Sequence, residues 1–459
     1  MLLLALASTA PSHAAEVQFE GFYRGRLRAF DTLSLARDLA NGEGLAMYAE
    51  HRLWLRPRFL VTDAVALNVD FRGLDGVRYG DQPAYYQTYT TPAPTVFELG
   101  LEAPTSDTDE RAPLLDFTIW RAWGEVDIGT GRLSFGRMPM HWGSGIWLND
   151  GVSLDRDFAN YGDTTDRIAF DALIRDEFFV RVGVDVPAER FVNQEDDTEA
   201  IDLSVAYRSE DITAGLLARY DHSGTRDQNV GPLNVFTLDG SGELYLGKLH
   251  AAAEVVGQFG GGDLDSGAND VSITTFGAAL DADLDLGPFV AAVRAGLATG
   301  DADPNDLNLK TFTFDRDYSL GMFLFEQPMP TLATSAAAAN DTNGGRDYSE
   351  ALSGEAIGNA LFLRPTISRE IVDGFTVWGS WAGARTARAQ KIDNTNQSRS
   401  YGNEFQLGAG YTGIEHFSAT LRLGAFLPGS VYSIGADGVT PTSFTEAAYG
   451  GQLGLRVEF

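Results

Sequence analysis

The most constraining feature of the chain is a two-residue rhythm. From residue 17 to the last, apolar and polar side chains alternate in runs of about ten residues, as in Ile201-Asp202-Leu203-Ser204-Val205. That period belongs to a β-strand with one apolar face and one wet face. No long stretch places apolar residues at i, i+3, i+4 and i+7. No run of 18 or more apolar residues follows the first few positions, so no spanning helix is expected. A soluble chain of 459 residues would divide into two or three domains with helical patterns among its strands. If the strands cross a bilayer instead, they must close on themselves, because lipid offers an open sheet edge no partner. The expected fold is therefore all-β: a transmembrane, antiparallel, up-and-down β-barrel.

Segment by segment, the alternation marks 17–30, 46–61, 64–74, 114–128, 131–139, 165–174, 177–187, 199–208, 211–222, 234–246, 248–259, 271–285, 288–298, 359–369, 373–385, 402–412, 416–427 and 446–459. That is about 18 strands, or 16 if one pair is miscounted; both are even, as in single-chain bacterial barrels. Thr62-Asp63, Gly129-Thr130-Gly131, Asp176, Ser209-Glu210, Gly247, Gly287-Pro288 and Gly413-Ile414-Glu415 read as tight turns. The intervening links are longer, and 75–113, 140–164 and 299–358 are long enough to be functional. Lys and Arg number 34 against 64 Asp and Glu, a formal net charge of −30. Much of the excess sits in the long links, at Glu195, Asp196, Asp197, Asp301, Asp303 and Asp306, so it describes the outer rim rather than the lumen.

The two ends fit the same reading. Residues 1–15 resemble a signal peptide, with an apolar stretch from Leu2 to Ala10 and a small-x-small site at Ser12-His13-Ala14, but no basic leader. Residues 16–459 form the barrel, with no second domain. The absence of cysteine suits an exported barrel large enough to need no staples. The last strand, Tyr449 to Phe459, alternates up to a terminal phenylalanine, which is expected to engage the outer-membrane assembly machinery. The expected location is the bacterial outer membrane, with its lipid as one partner.

Alternation also separates the two faces of each strand. Arg24, Arg26 and Arg28 share one face; Arg52, Trp54, Arg56 and Arg58 share another, opposite Leu53, Leu55, Pro57 and Phe59. A charge facing lipid near the midplane costs about 2–4 kcal/mol, so these arginines must point into the lumen. Val180, Val182, Val184 and Val186 send Arg181 and Asp185 inward, and Ile201, Leu203, Val205 and Tyr207 do the same for Asp202 and Arg208. Arg219, Arg294, Arg364, Arg422 and Arg456 fall on polar faces as well. A guanidinium is a permanent cation whose planar fork suits carboxylate and phosphate, and a ladder of them makes a pore favour anions. The alternative is that these arginines pair with Glu20, Asp70, Glu125, Asp202 and Glu254 and brace the wall. The triple repeats of the first two strands lack matching acids in the sequence, which favours the anion reading there.

Between residues 133 and 150, Gly136-Arg137 at a strand end leads into His141-Trp142-Gly143-Ser144-Gly145 and Trp147. This turn could fold inward as a constriction, or its tryptophans could belong to the interfacial girdle. Further on, Gly300-Asp301-Ala302-Asp303-Pro304-Asn305-Asp306 is followed by Thr311-Phe312. Together these two elements resemble the alginate-export family of outer-membrane porins. The resemblance covers mainly 131–150 and 296–326; it implies an 18-stranded barrel with an arginine-lined channel that passes an anionic polysaccharide outward. Asp301, Asp303 and Asn305 begin like a calcium loop, but Asp306 stands where glycine belongs and Phe312 where glutamate belongs, so a solvated acidic turn is expected. Gly143-Ser144-Gly145 breaks the spacing of a nucleophile elbow, and the six histidines form no helical metal pair. His141, Asp150 and Asp155 are the residual candidates for rim catalysis. The expectation is a channel, not an enzyme, without cofactor or nucleic acid, taking an anionic small molecule or an acidic polysaccharide. A general diffusion porin of mixed charge and a non-conducting surface protein with binding loops are the alternatives.

Overall fold

The structure is a computed structural model that describes residues 16–33, 45–74, 77–80, 117–151, 162–188, 198–223, 232–263, 270–302, 306–327, 356–389, 391–392, 395–396, 399–433 and 445–459. The signal segment 1–15, Asp303, Asn305 and Asp155 lie outside them. Eighteen long strands follow one another: β1 (Glu16–Asp31), β2 (Ala46–Thr62), β3 (Val65–Gly73), β4 (Phe117–Asp127), β5 (Arg132–Pro139) and β6 (Thr164–Ile174). Next come β7 (Phe178–Ala188), β8 (Thr198–Arg208), β9 (Ile212–Ser223), β10 (Leu233–Leu246), β11 (Leu249–Asp263) and β12 (Asp270–Asp285). The last six are β13 (Val290–Ala298), β14 (Ala360–Val372), β15 (Phe375–Thr386), β16 (Ser400–Ile414), β17 (Phe417–Pro428) and β18 (Ala448–Glu458). Each pairs antiparallel with the next, and β18 returns to β1 through Tyr23↔Val457 and Arg24↔Arg456. The barrel is closed, with Gly21 and Phe459 exchanging backbone hydrogen bonds of 2.9 and 3.1 Å at the seam. Each strand overlaps the segment expected for it, and no end is displaced by more than four residues; the largest shift carries β11 on to Asp263.

The two faces sort as a lipid-spanning wall requires. On β7 Val184 is 56% exposed while its neighbour Asp185 is buried, and on β8 Leu203 is exposed between buried Asp202 and Ser204. No described helix is long and apolar enough to cross a membrane. Where β13 stops at Ala298, the upper edge of β12 would be open; Asn308–Leu309 lies parallel against Ser272 and Ile273 and covers it.

The lumen is not empty. Two links fold inward, one between β5 and β6 (140–151) and one after β13 (299–327). The second carries Phe312, Phe314, Tyr318, Leu320, Met322, Phe323 and Leu324, all buried. They form an apolar cluster against Phe30 of β1, Phe362 of β14 and Phe426 of β17. The links meet where Asp315 donates its N–H to the Ile146 carbonyl at 2.8 Å.

Candidate pore lining

Strand register gathers arginines that are far apart in the sequence. Arg24 of β1 lies directly opposite Arg52 of β2 on one side and Arg456 of β18 on the other, a row of three guanidiniums. Arg28 lies opposite Gln452, which in turn faces Arg422 of β17. Arg294 of β13 stands opposite Arg364 of β14. The wall from β17 through β18 and β1 to β2 is therefore dominated by cations.

These side chains divide by what covers them. Arg24, Arg26 and Arg28 are only 3–5% exposed, and Arg219 and Arg422 are buried too. Glu50 of β2 bridges Arg26 at 3.0 Å and Arg28 at 3.1 Å, an acid that stands at the register position of Arg26 and that alternation alone does not reveal as a partner. Arg56 chelates Asp70 at 2.5 and 2.7 Å, approaches Glu20 at 3.8 Å and sits over the rings of Trp54 and Trp123. Arg58 reaches Glu125 at 2.9 Å, and Arg181 reaches Asp171 at 2.5 Å. Arg422 lies over the Trp378 ring at 5.7 Å. Several of these arginines therefore brace the wall. Arg52, Arg56, Arg58, Arg181, Arg208, Arg294 and Arg364 remain at least partly exposed.

Across the barrel the balance reverses. Asp171, Asp185, Asp202, Asp221, Asp239 and Glu254 line β6 to β11, with Arg167 and Arg219 threaded among them. Arg167 binds Asp185 and Asp202; Arg219 binds Asp185 and Asp221. Arg167 was readable from its place beside Ile168 but was not picked out from the sequence. Arg121 and Trp120 were hidden for another reason. A β-bulge sets Asp70 against Arg121 and Phe71 against Ile119, so one residue of β4 is supernumerary. Arg121 is wholly buried, donating to the Asp150 and Asp163 carbonyls and stacking on Trp120 with Arg72.

The link 140–151 lies inside the barrel, and Trp142 rests over Gly215 of β9, where an added Cβ would come within 2.8 Å of the indole. The girdle reading of Trp142 is thereby set aside. Below this link a cavity of about 760 Å³ opens between β8 and β14, lined by His141, Trp142, Arg208, His250, Arg294 and Arg364 among others. Arg208 stacks on Phe179, and Arg294 pairs with Asp281 at 2.6 Å and donates to the Ser319 carbonyl. At the floor, His250 has Asp283 at 2.8 Å on one ring nitrogen and Glu243 at 2.9 Å on the other.

Where the two inward links meet, Asp163, Asp315 and Asp317 crowd together. Burial pushes the Asp163 carboxyl up to about 7, aided by the charge of Asp317 and opposed by the Asn149 N–H it accepts. Burial and the same neighbours hold Asp315 well above the usual carboxylate range. Burial also raises Glu326 to about 8. Asp301 accepts the Lys310 N–H at 3.3 Å; Asp303 and Asn305 lie outside the described residues, and among those residues no cluster of metal ligands occurs. His141 and Asp150 are 3.8 Å apart.

No protein-family model and no curated protein matches the sequence. Solved structures do match in fold, among them three Pseudomonas aeruginosa proteins. OccK9 (OpdG) superposes with a TM-score of 0.52 at 10% identity over 97% of this chain and 99% of its own. OccK8 (OprE) gives 0.51 at 10% over 97% and 98%, and OccK2 (OpdF), solved in complex with glucuronate, gives 0.50 at 12% over 97% and 96%. At such identities the likeness is one of fold alone.

Proposed function

We propose that this chain is a bacterial outer-membrane channel that passes anionic solutes. The observation that carries the reading is the polarised lumen. Guanidiniums from β13, β14 and β17 to β2 face carboxylates of β6 to β11, and the inward links narrow the space between the two walls. Fixed charge of one sign on a low-dielectric wall concentrates counter-ions and sets which ions pass. Arg208, Arg294 and Arg364, interleaved with Glu243, Asp281 and Asp283, open onto a cavity whose volume suits a solute of one or two sugar rings. The likeness of 131–150 and 296–326 to alginate-export porins supports an acidic polysaccharide as the extended member of the same class. A polymer would need the inward links to move aside. The barrel architecture and its apolar outer band support the outer membrane as location and its lipid as solvent.

Reversal potentials in planar bilayers under a salt gradient test the reading. Anion preference is expected, and Arg208→Ser with Arg364→Ser should lessen it. Cation preference in the unaltered protein would overturn the proposal. Release of labelled alginate from vesicles, set against uptake of glucuronate, separates polymer from small solute.

A further inference from the structure

Within the inward link a turn, Ser319 to Gln327, packs against the wall at β16, β17 and β1 and is gripped there by one side chain. Glu404 of β16 is wholly buried. It makes no ion pair among the described residues, which is unusual for a carboxylate out of water. Its two oxygens are instead held by amide donors. Oε1 accepts the N–H of Met322 at 2.6 Å and the side-chain amide of Gln406 at 2.5 Å. Oε2 accepts the N–H of Phe323 at 3.1 Å and of Leu324 at 2.8 Å. Three successive backbone N–H groups converging on one anion form a nest, and charge-assisted bonds of this kind are about twice as strong as neutral ones. The fit is close. A Cβ on Gly321 would stand 2.3 Å from Oε2, so only glycine lets the backbone reach the carboxylate.

We infer that Glu404 is the positioning residue of the constriction: a carboxylate latch that holds the inward link across the lumen and so sets the bore of the channel. The apolar contacts of Phe323 with Phe30 and Phe426 supply attraction without direction, whereas the nest specifies where the turn docks. The consequence for conduction rests on the channel reading; the docking itself does not.

The chain contains no cysteine, so Met322→Cys, at a buried position of the turn, gives one reporter for a membrane-impermeant maleimide. The full-length barrel in lipid vesicles is used, with the heat-dependent shift in gel mobility as the check that the barrel is intact. Adding Glu404→Ala should raise the labelling rate about tenfold or more, the factor matching the loss of one charged hydrogen bond. Single-channel conductance of Glu404→Ala should rise. Gly321→Ala should reproduce both changes with Glu404 in place, which keeps the test decisive if Glu404→Ala fails to fold. Glu404→Gln, which keeps acceptor atoms but adds an opposing amide, should fall between. Unchanged labelling in intact Glu404→Ala or Gly321→Ala barrels overturns the latch. Faster labelling in a barrel that never conducts upholds the latch and defeats the channel reading instead.

Discussion

The ion network on β6, β7, β8 and β9 makes a prediction that ordinary charge counting gets backwards. Asp185 is the central member, buried between Arg167 at 3.1 Å and Arg219, so its removal looks the most damaging. The network holds two guanidiniums and three carboxylates, Asp185, Asp202 and Asp221, and therefore carries one surplus negative charge. Replacing Asp185 with Asn leaves each arginine a partner, Asp202 for Arg167 and Asp221 for Arg219, and brings the cluster to neutrality. The loss is then of hydrogen bonds to charged groups, about 1.5–3 kcal/mol. Replacing Arg219 with Met keeps most of the side-chain volume but leaves three buried carboxylates to one guanidinium, with Asp221 stranded. An uncompensated buried charge costs about 3–5 kcal/mol. The double variant Arg219→Met with Asp185→Asn removes one charge of each sign and should recover at least about 1 kcal/mol relative to additivity, since these neighbours share partners. Equilibrium unfolding by urea in lipid vesicles, followed by tryptophan emission, measures all three. An Asp185→Asn loss equal to or larger than that of Arg219→Met, or simple additivity in the double variant, would refute the charge accounting.

Other expectations follow from the same geometry. Leu203→Arg places a charge on the lipid face of β8 and should cost about 2–4 kcal/mol by the same unfolding assay, whereas Ser204→Arg, aimed into the lumen, should not show this lipid penalty. Docking of the inward links should weaken as pH rises. Asp163 and Glu326 hold their protons more tightly when docked than when released, so docking is firmest below the ordinary carboxylate range near about 4. It then declines as pH rises from there, and the loss is complete above about 7 for Asp163 and about 8 for Glu326. Open-channel noise should increase between these limits, and Asp163→Asn with Glu326→Gln should flatten that profile. Phe459→Ala should slow assembly in cells while leaving refolding into vesicles nearly unchanged, because its backbone bonds to Gly21 survive.

The barrel was legible because a closed sheet in lipid leaves every residue only two directions, and the cost of a wrong one is paid in exposed charge. Alternation therefore located the strands and their ends. It could not supply register. Glu50 is an unremarkable acid until pairing sets it beside Arg26, and the row Arg52, Arg24, Arg456 exists only once β18 closes on β1. Bulges defeat the two-residue period outright, which is why Trp120 and Arg121 escaped notice. The inward fold of 140–151 was signalled by Trp142, Gly143, Gly145 and Trp147, whereas the docking turn at 319–327 carried no such signal. Its anchor, Glu404, lies 82 residues beyond Met322 in a strand like any other.

The same logic explains how a chain with a net charge of −30 can present a cationic wall. Asp171, Asp185, Asp202 and Asp221 of β6 to β9 lie beside arginines of the same or a neighbouring strand, so much of their field is spent within the wall. On β17 to β2 the arginines outnumber the acids that face them, and Glu50 serves two at once. On the channel reading, a permeating ion meets the charge of the wall beside it and not the sum over the chain. Raising ionic strength should then weaken the attraction or repulsion of approaching solutes before it weakens selectivity between the two walls.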